Sequence, residues 1–378
     1  MDSTTSTKLP QDIQGINSLK LLEETRLGDL VLRNRMAMAP MTRSRATMDG
    51  VVGELTERYY TQRSTAGLIV SEGINISAEA QGSPMTPGLF TPAQTEAWAS
   101  VTAAVHQAGG VIFAQLWHTG RVGHSADKGG KLPVAPSAIA IQGQQHFTSQ
   151  GKMDYETPHA LTTDEVKRVV QDYRKAAENA KAAGFDGVEL HGAFGYLPNQ
   201  FLVDSANQRT DEYGGSIENR SRFVLEVMQA IVDVWGPGRV GIKLSPSTYY
   251  NNMFDSDPVS LFSHLIGELD KLPLAYLHLM RATMPLDKFP HYPQDVLATF
   301  GGLTTKTIIA NGGYQRDTAE ADLAQGRAQM ISFGVGFLAN PDLPQRFAAD
   351  APLNAPDFAT FYGGGEKGYI DYPLLPQS

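Results

Sequence analysis

The sequence predicts an α/β chain closed into a (β/α)8 TIM barrel, with an N-terminal β-hairpin and a long capping loop after the third strand. Eight short apolar runs occur in turn, and a helical segment follows each one. Such alternation implies a parallel sheet, and eight units favour a closed barrel over a doubly wound sheet. No Gly-x-Gly-x-x-Gly follows the first run, which argues against a dinucleotide-binding fold. No composition break divides the 378 residues. Residues 1–18 are expected to be a loose polar leader and residues 19–378 a single barrel domain.

Leu27 to Asn34 reads as a hairpin closed by Gly28-Asp29, placed ahead of the barrel. Arg35 to Pro40 is the first barrel strand, with Met41-Thr42-Arg43 as its exit loop. A helix over 54–64 precedes the second strand, Gly67 to Glu72. The helix predicted over 92–108 has Pro92 suited to its first turn. Val111 to Trp117 is the third strand. The weakly periodic stretch 122–161 follows, and its length suggests a functional loop such as a lid. Thr162 and Glu165 fit a capping box for the helix over 162–183, which carries an apolar stripe from Val166 to Ala180. The remaining strands are Gly187 to Leu190, Val240 to Leu244, Ala275 to Leu279, Thr307 to Ala310 and Met330 to Phe333. Helices are predicted over 216–235, 259–271, 294–300, 316–325 and 341–349.

Composition narrows the function. The formal net charge of −9 disfavours nucleic acid and anionic membrane as partners. The chain has no cysteine, so disulfides, thiolate metal sites and cysteine nucleophiles are excluded. No apolar run reaches the roughly 18 residues of a membrane span, and a cytoplasmic location is expected. His118 and His124 are isolated and no acidic cluster has ligand spacing, so no metal site is expected.

Barrel chemistry collects at the carboxyl ends of the strands. Those ends supply Thr42, Gly73, Gln115 with Trp117, His191 with Tyr196, Lys243, Gly312-Gly313 and Gly334-Val335-Gly336. A histidine can donate a hydrogen bond there and a tyrosine can deliver a proton. The early strands offer small hydrogen-bonding groups suited to a planar heteroaromatic ring. The last two end in glycines ahead of helices, where backbone N–H groups bind phosphate. Flavin mononucleotide (FMN) would fit this layout.

Six motifs in order carry a family resemblance from about Leu19 to Pro373. They are Met38-Ala-Pro-Met-Thr-Arg43, Gln115-Leu-Trp-His-Thr-Gly-Arg121, Phe185-Asp-Gly-Val-Glu-Leu-His191, Asn207-Gln-Arg-Thr-Asp211 with Tyr213 to Arg220, Asn340-Pro-Asp-Leu343, and Gly368-Tyr-Ile-Asp-Tyr-Pro373. The chain resembles the old yellow enzymes, flavin-dependent ene-reductases. The resemblance implies FMN at the barrel mouth, reduced by NADPH or NADH. It implies a small-molecule substrate with an activated alkene, whose β-carbon receives hydride and whose α-carbon a tyrosine protonates. By position, Pro40, Met41, Thr42, Gly73, Gln115, Lys243, Gly312, Gly313, Gly334 and Val335 should contact the cofactor. His191 should hold the substrate carbonyl and Tyr196 should be the proton donor. Trp117, Phe194 and Tyr362 should complete the substrate pocket. A monomer or homodimer working in specialised metabolism is expected.

Three positions depart from the family pattern. Phe194 stands where His or Asn is usual, removing a carbonyl donor. Lys243 replaces an arginine near the flavin, keeping charge without the bidentate fork. Val335 replaces an arginine at the phosphate. These departures leave room for an isomerase or cyclase on the same scaffold, using flavin without redox or not at all. A non-catalytic binding protein with an eroded flavin site is a third reading.

Overall fold

The computed structural model describes residues 19–376; the leader assigned to 1–18 lies outside them. Eight parallel strands close into a barrel: β1 (Met36–Met38), β2 (Leu68–Asn75), β3 (Ile112–Trp117), β4 (Gly187–Gly192), β5 (Val240–Leu244), β6 (Tyr276–Met280), β7 (Thr307–Asn311) and β8 (Met330–Phe333). Closure comes from β8 against β1, where Ile331 pairs with Met36 and Phe333 with Met38.

The helices are α1 (Glu54–Thr61), α2 (Pro92–Gln107), α3 (Thr163–Ala182), α4 (Leu197–Leu202), α5 (Ile217–Trp235), α6 (Pro258–Asp270), α7 (Val296–Phe300), α8 (Arg316–Ala324), α9 (Val335–Ala339) and α10 (Leu343–Ala348). Both halves of the α3 capping box form: Thr162 Oγ1 accepts from Glu165 N at 3.3 Å, and Glu165 Oε2 accepts from Thr162 N at 2.7 Å. The α3 stripe, Val166 to Ala180, is buried against the strands' outer faces. No described helix is long and apolar enough to cross a membrane.

Alternation along the strands splits the core in two. Val188, Leu190, Ile242, Leu277, Leu279 and Ile331 pack outward under the helices. Phe113, Tyr276, Ile309 and Met330 pack together with Ala37, Leu68 and Val70 inside the barrel. The predicted hairpin, Thr25–Leu27 with Leu30–Leu32, joins this inner cluster through Leu27 and Leu32. Its turn is pressed against the chain ahead of β5: a Cβ on Gly28 would lie 2.4 Å from Gly238 O. The hairpin thus seals the amino end of the barrel and leaves the carboxyl end for the site.

Two expectations need correction. The stretch 122–161 contains an antiparallel hairpin, Gln145–Thr148 with Gly151–Asp154, and a parallel pair, Val134–Ala135 with His159–Ala160. These strands are short and half exposed, so they carry little periodicity. The segment is also anchored: Lys128 Nζ donates to Gln81 O at 2.7 Å and Arg121 Nη1 to Ile139 O at 3.0 Å. The second correction is α9, which begins at Val335, ahead of the helix predicted over 341–349.

The C-terminal segment folds back over the exit of β1. Arg43 donates to Phe361 O (2.9 Å) and Gly368 O (2.7 Å). Arg45 donates to Gly365 O and Thr360 O, each at 3.0 Å. Gly363 N returns a hydrogen bond to Arg43 O at 2.9 Å.

Candidate active site

The ends of β3 and β4 place three aromatic rings together. Trp117 is stacked with His191 at 6.2 Å and 19°. Tyr196 meets both edge-on, 4.7 Å from His191 and 5.0 Å from Trp117 between ring centroids. His191 Nδ1 and Trp117 Nε1 are buried and have no hydrogen-bond partner among the described residues. Burial, with the Lys243 charge, drives the His191 pKa down to about 3, so the imidazole is neutral at physiological pH. Burial, together with Tyr362, Tyr155 and Tyr250, raises the Tyr196 pKa well above that of a free phenol, keeping it protonated.

Tyr196 reaches this place through an unusual bend. Phe194 has φ 57°, a left-handed conformation uncommon for a bulky residue. Its N–H donates to Ser245 Oγ at 3.0 Å, and Asn251 Nδ2 donates to its carbonyl at 2.9 Å. Gly195 N then donates to Asn199 Oδ1 at 2.9 Å, leading into α4. The Phe194 ring faces Lys243, whose Nζ lies 5.6 Å from the ring centroid. Burial lowers the Lys243 pKa to about 8, although Glu189 opposes the shift.

The other expected residues fall around this centre. Pro40, Met41 and Thr42 are half-buried on the exit of β1. Gly73 follows a bulge in β2, and a Cβ there would lie 2.7 Å from the Trp117 ring. Its glycine is therefore required by Trp117, a packing demand independent of any ligand. Gly312 and Gly313 have φ 114° and 67°, values that favour glycine. Gly334 lies beside Met41, with its Cβ position 3.5 Å from Sδ. Val335 is 44% exposed on the first turn of α9, and Tyr362 is 70% exposed on the rim. The structure thus gathers Trp117, His191, Phe194, Tyr196 and Lys243 tightly and leaves Tyr362 and Val335 open to solvent.

A second layer lies below; of its members only Gln115 was expected at the site from sequence, and Glu189, His278 and Ser332 were not. Gln115 Nε2 donates to Glu189 Oε1 at 2.8 Å, Glu189 Oε2 pairs with His278 Nδ1 at 2.8 Å, and His278 Nε2 pairs with Ser332 Oγ at 2.7 Å. All four residues are at most 1% exposed. Burial opposes charge on Glu189, but His278, Lys243 and Gln115 outweigh it and hold the carboxyl below the usual range. The signal available in sequence was a polar residue set inside each of four otherwise apolar strands: Gln115, Glu189, Lys243 and His278.

The donors present suit a flavin. A buried amide, a buried cation and two left-handed glycines converge on one end of the barrel, beside two ring nitrogens without partners. A planar ring with carbonyl and imide edges can satisfy the amide and the cation, and the ring nitrogens, costly to leave unpartnered, are free for a second ligand with a carbonyl.

Comparison with known proteins agrees with this layout. Residues 20–354 match the model of the NADH:flavin oxidoreductase / NADH oxidase family. The chain is 43% identical to 12-oxophytodienoate reductase 1 of Oryza sativa subsp. japonica, over 97% of this chain and 96% of that protein. Among solved structures it is similar to morphinone reductase, at 46% identity and TM-score 0.90, covering 94% of this chain and 96% of the other. It is also similar to the old yellow enzyme homologue from Zymomonas mobilis, at 42% identity and TM-score 0.90, covering 94% and 100%.

Proposed function

The chain belongs to the NADH:flavin oxidoreductase / NADH oxidase family, the old yellow enzymes, and we propose that within it this protein reduces an electron-poor C=C bond conjugated to a carbonyl. As a member it is an oxidoreductase with FMN as cofactor and a nicotinamide as reductant. FMN, when bound, supplies the hydride passed from nicotinamide to substrate.

The observation that carries the reading is the His191–Tyr196 pair, with ring centroids 4.7 Å apart. His191, neutral, donates a hydrogen bond to the substrate carbonyl and stabilises the enolate charge that develops there. Tyr196, protonated, delivers its proton to the α-carbon. Trp117 and Phe194 wall the pocket, and Tyr362 reaches it from the rim. Gln115 and Thr42 would face the flavin ring, with Pro40, Met41 and Gly73 beside it and Lys243 supplying positive charge. Gly312, Gly313, Gly334 and Val335 would hold the phosphate.

One feature favours a second reading, an isomerase or cyclase using flavin without redox or not at all: Phe194 takes the place of a donor and turns its ring to Lys243. A single assay separates the two. Purified protein with FMN, NADH or NADPH and a set of cyclic enones should consume nicotinamide and release saturated ketone in equal amounts. Substrate turnover without nicotinamide consumption would replace the first reading with the second.

We also propose that residues 19–378 act as one domain, cytoplasmic, monomeric or homodimeric, in specialised metabolism. Support for one domain is the pairing of the first barrel strand with the last. Sedimentation and cell fractionation test the assembly and the location.

A further inference from the structure

The buried layer beneath the site has a direction. An ionised carboxylate only accepts hydrogen bonds. Glu189 therefore requires its two partners, Gln115 and His278, to turn donors toward it. For His278 this fixes the Nδ1–H tautomer, and Nε2 becomes an acceptor for the Ser332 hydroxyl at 2.7 Å. For Gln115 it fixes the amide. The NH2 group is committed to Glu189 at 2.8 Å, and the backbone N–H to Ser71 Oγ at 3.0 Å. The amide carbonyl is left pointing away from Glu189, with no hydrogen bond to it among the described residues. Glu189 and Gln115 are direct neighbours in register across β3 and β4, so the contact does not depend on a mobile loop.

Resting on the flavin reading above, we propose that Glu189, braced by His278 and Ser332, is a positioning residue that locks the Gln115 amide so that its carbonyl oxygen, an acceptor, faces the imide N–H of the flavin ring. A free glutamine amide can present either end, and the wrong end sets an N–H donor against another donor. The carboxylate removes that choice before the ligand arrives. Pre-setting the amide spares the ordering cost that binding would otherwise carry. The carboxylate, paired in register with Gly241, also acts by its charge on Lys243, the buried cation two residues further along the adjacent strand.

The test is FMN titration of flavin-stripped full-length protein, followed by quenching of FMN fluorescence. Glu189→Gln keeps the shape but can offer an NH2 group to Gln115, which frees the Gln115 amide to flip. We expect FMN affinity to fall roughly tenfold, the scale of leaving one buried imide N–H unsatisfied. In a Gln115→Met background the same change should alter affinity less than about twofold, because no amide remains to orient. Equal losses in both backgrounds would reduce Glu189 to a general stabiliser and overturn the inference. Wild type that takes up no FMN would overturn the flavin reading together with this one. Should Glu189→Gln not fold, the wild-type holoprotein decides alone. The Gln115 side-chain amide, identified in NMR spectra by its loss in Gln115→Met, should exchange its protons far more slowly than surface glutamines. Exchange as fast as theirs overturns the lock.

Discussion

Lys243 Nζ lies 5.6 Å from the centroid of the Phe194 ring, so two departures from the family pattern touch each other. A cation over an aromatic face is worth about 0.5–2 kcal/mol, more when desolvated. This lysine is almost fully buried. The phenyl face therefore compensates part of the cost of burying the ammonium, and the two positions are best treated as one unit.

Phe194 is where change should be most informative. Its left-handed backbone, φ 57°, suits asparagine better than phenylalanine. Phe194→Asn adds a carbonyl donor and relieves the backbone, while Phe194→His adds the donor. Removing one such donor commonly costs about 10²–10³ in rate. Stopped-flow measurement with cyclohexenone should show the alkene half-reaction of both variants accelerated at least about tenfold. Wild type should favour larger apolar enones that stack on the ring. No gain in either variant would show that Phe194 does not set the preference.

Tyr196→Phe removes the phenol proposed as proton donor and leaves the aromatic contacts with Trp117 and His191 in place. Net alkene reduction should slow by about 10²–10⁴. Nicotinamide oxidation in the reductive half-reaction should stay near wild type. Unchanged product formation would remove Tyr196 from the proton transfer.

On the flavin reading, Val335 leaves the phosphate side without a charged side chain on the first turn of α9. Val335→Arg has open space to enter, since Val335 is 44% exposed. A charge-assisted hydrogen bond is worth about 1.5–3 kcal/mol, so FMN should bind about tenfold or more tightly. Equilibrium titration with no gain would mean that other groups already satisfy the phosphate.

Acid should destabilise the protein through its buried histidines. Burial lowers the pKa of His118, His146, His191 and His278. Each is neutral when folded but accepts a proton near pH 6.5 when unfolded. The unfolded chain therefore binds more protons below that pH, and stability present above it is lost as pH falls. For His191 the loss continues down to about pH 3. Each such group changes the unfolding constant up to about tenfold per pH unit. Urea unfolding between pH 7 and 5 should show proton uptake approaching one fewer in His191→Gln. Equal uptake would place a charged His191 in the folded state.

What could be read from sequence was local. The α3 capping box and the His191–Tyr196 spacing lie within a few residues of each other, and both were legible. The inner layer of Gln115, Glu189, His278 and Ser332 depends on register between strands far apart in the chain. The polar residues inside these strands were visible, but which of them meet was not. Phe194 reads in sequence only as a lost donor. Its backbone conformation and its contact with Lys243 are set by Ser245 and Asn251 on the loop after β5, which no local pattern announces. The hairpin at 145–154 escaped because its strands are four residues long and the first is inverted, with Phe147 exposed and His146 and Thr148 buried, so no apolar face marks it.

The clasp of Arg43 and Arg45 on the segment Thr360–Gly368 closes a loop of more than 300 residues, yet the barrel closes without it, through β8 against β1. A proteolytic nick between Ala351 and Asp357 is therefore expected to loosen the wall beside Thr42 while β8 stays paired with β1.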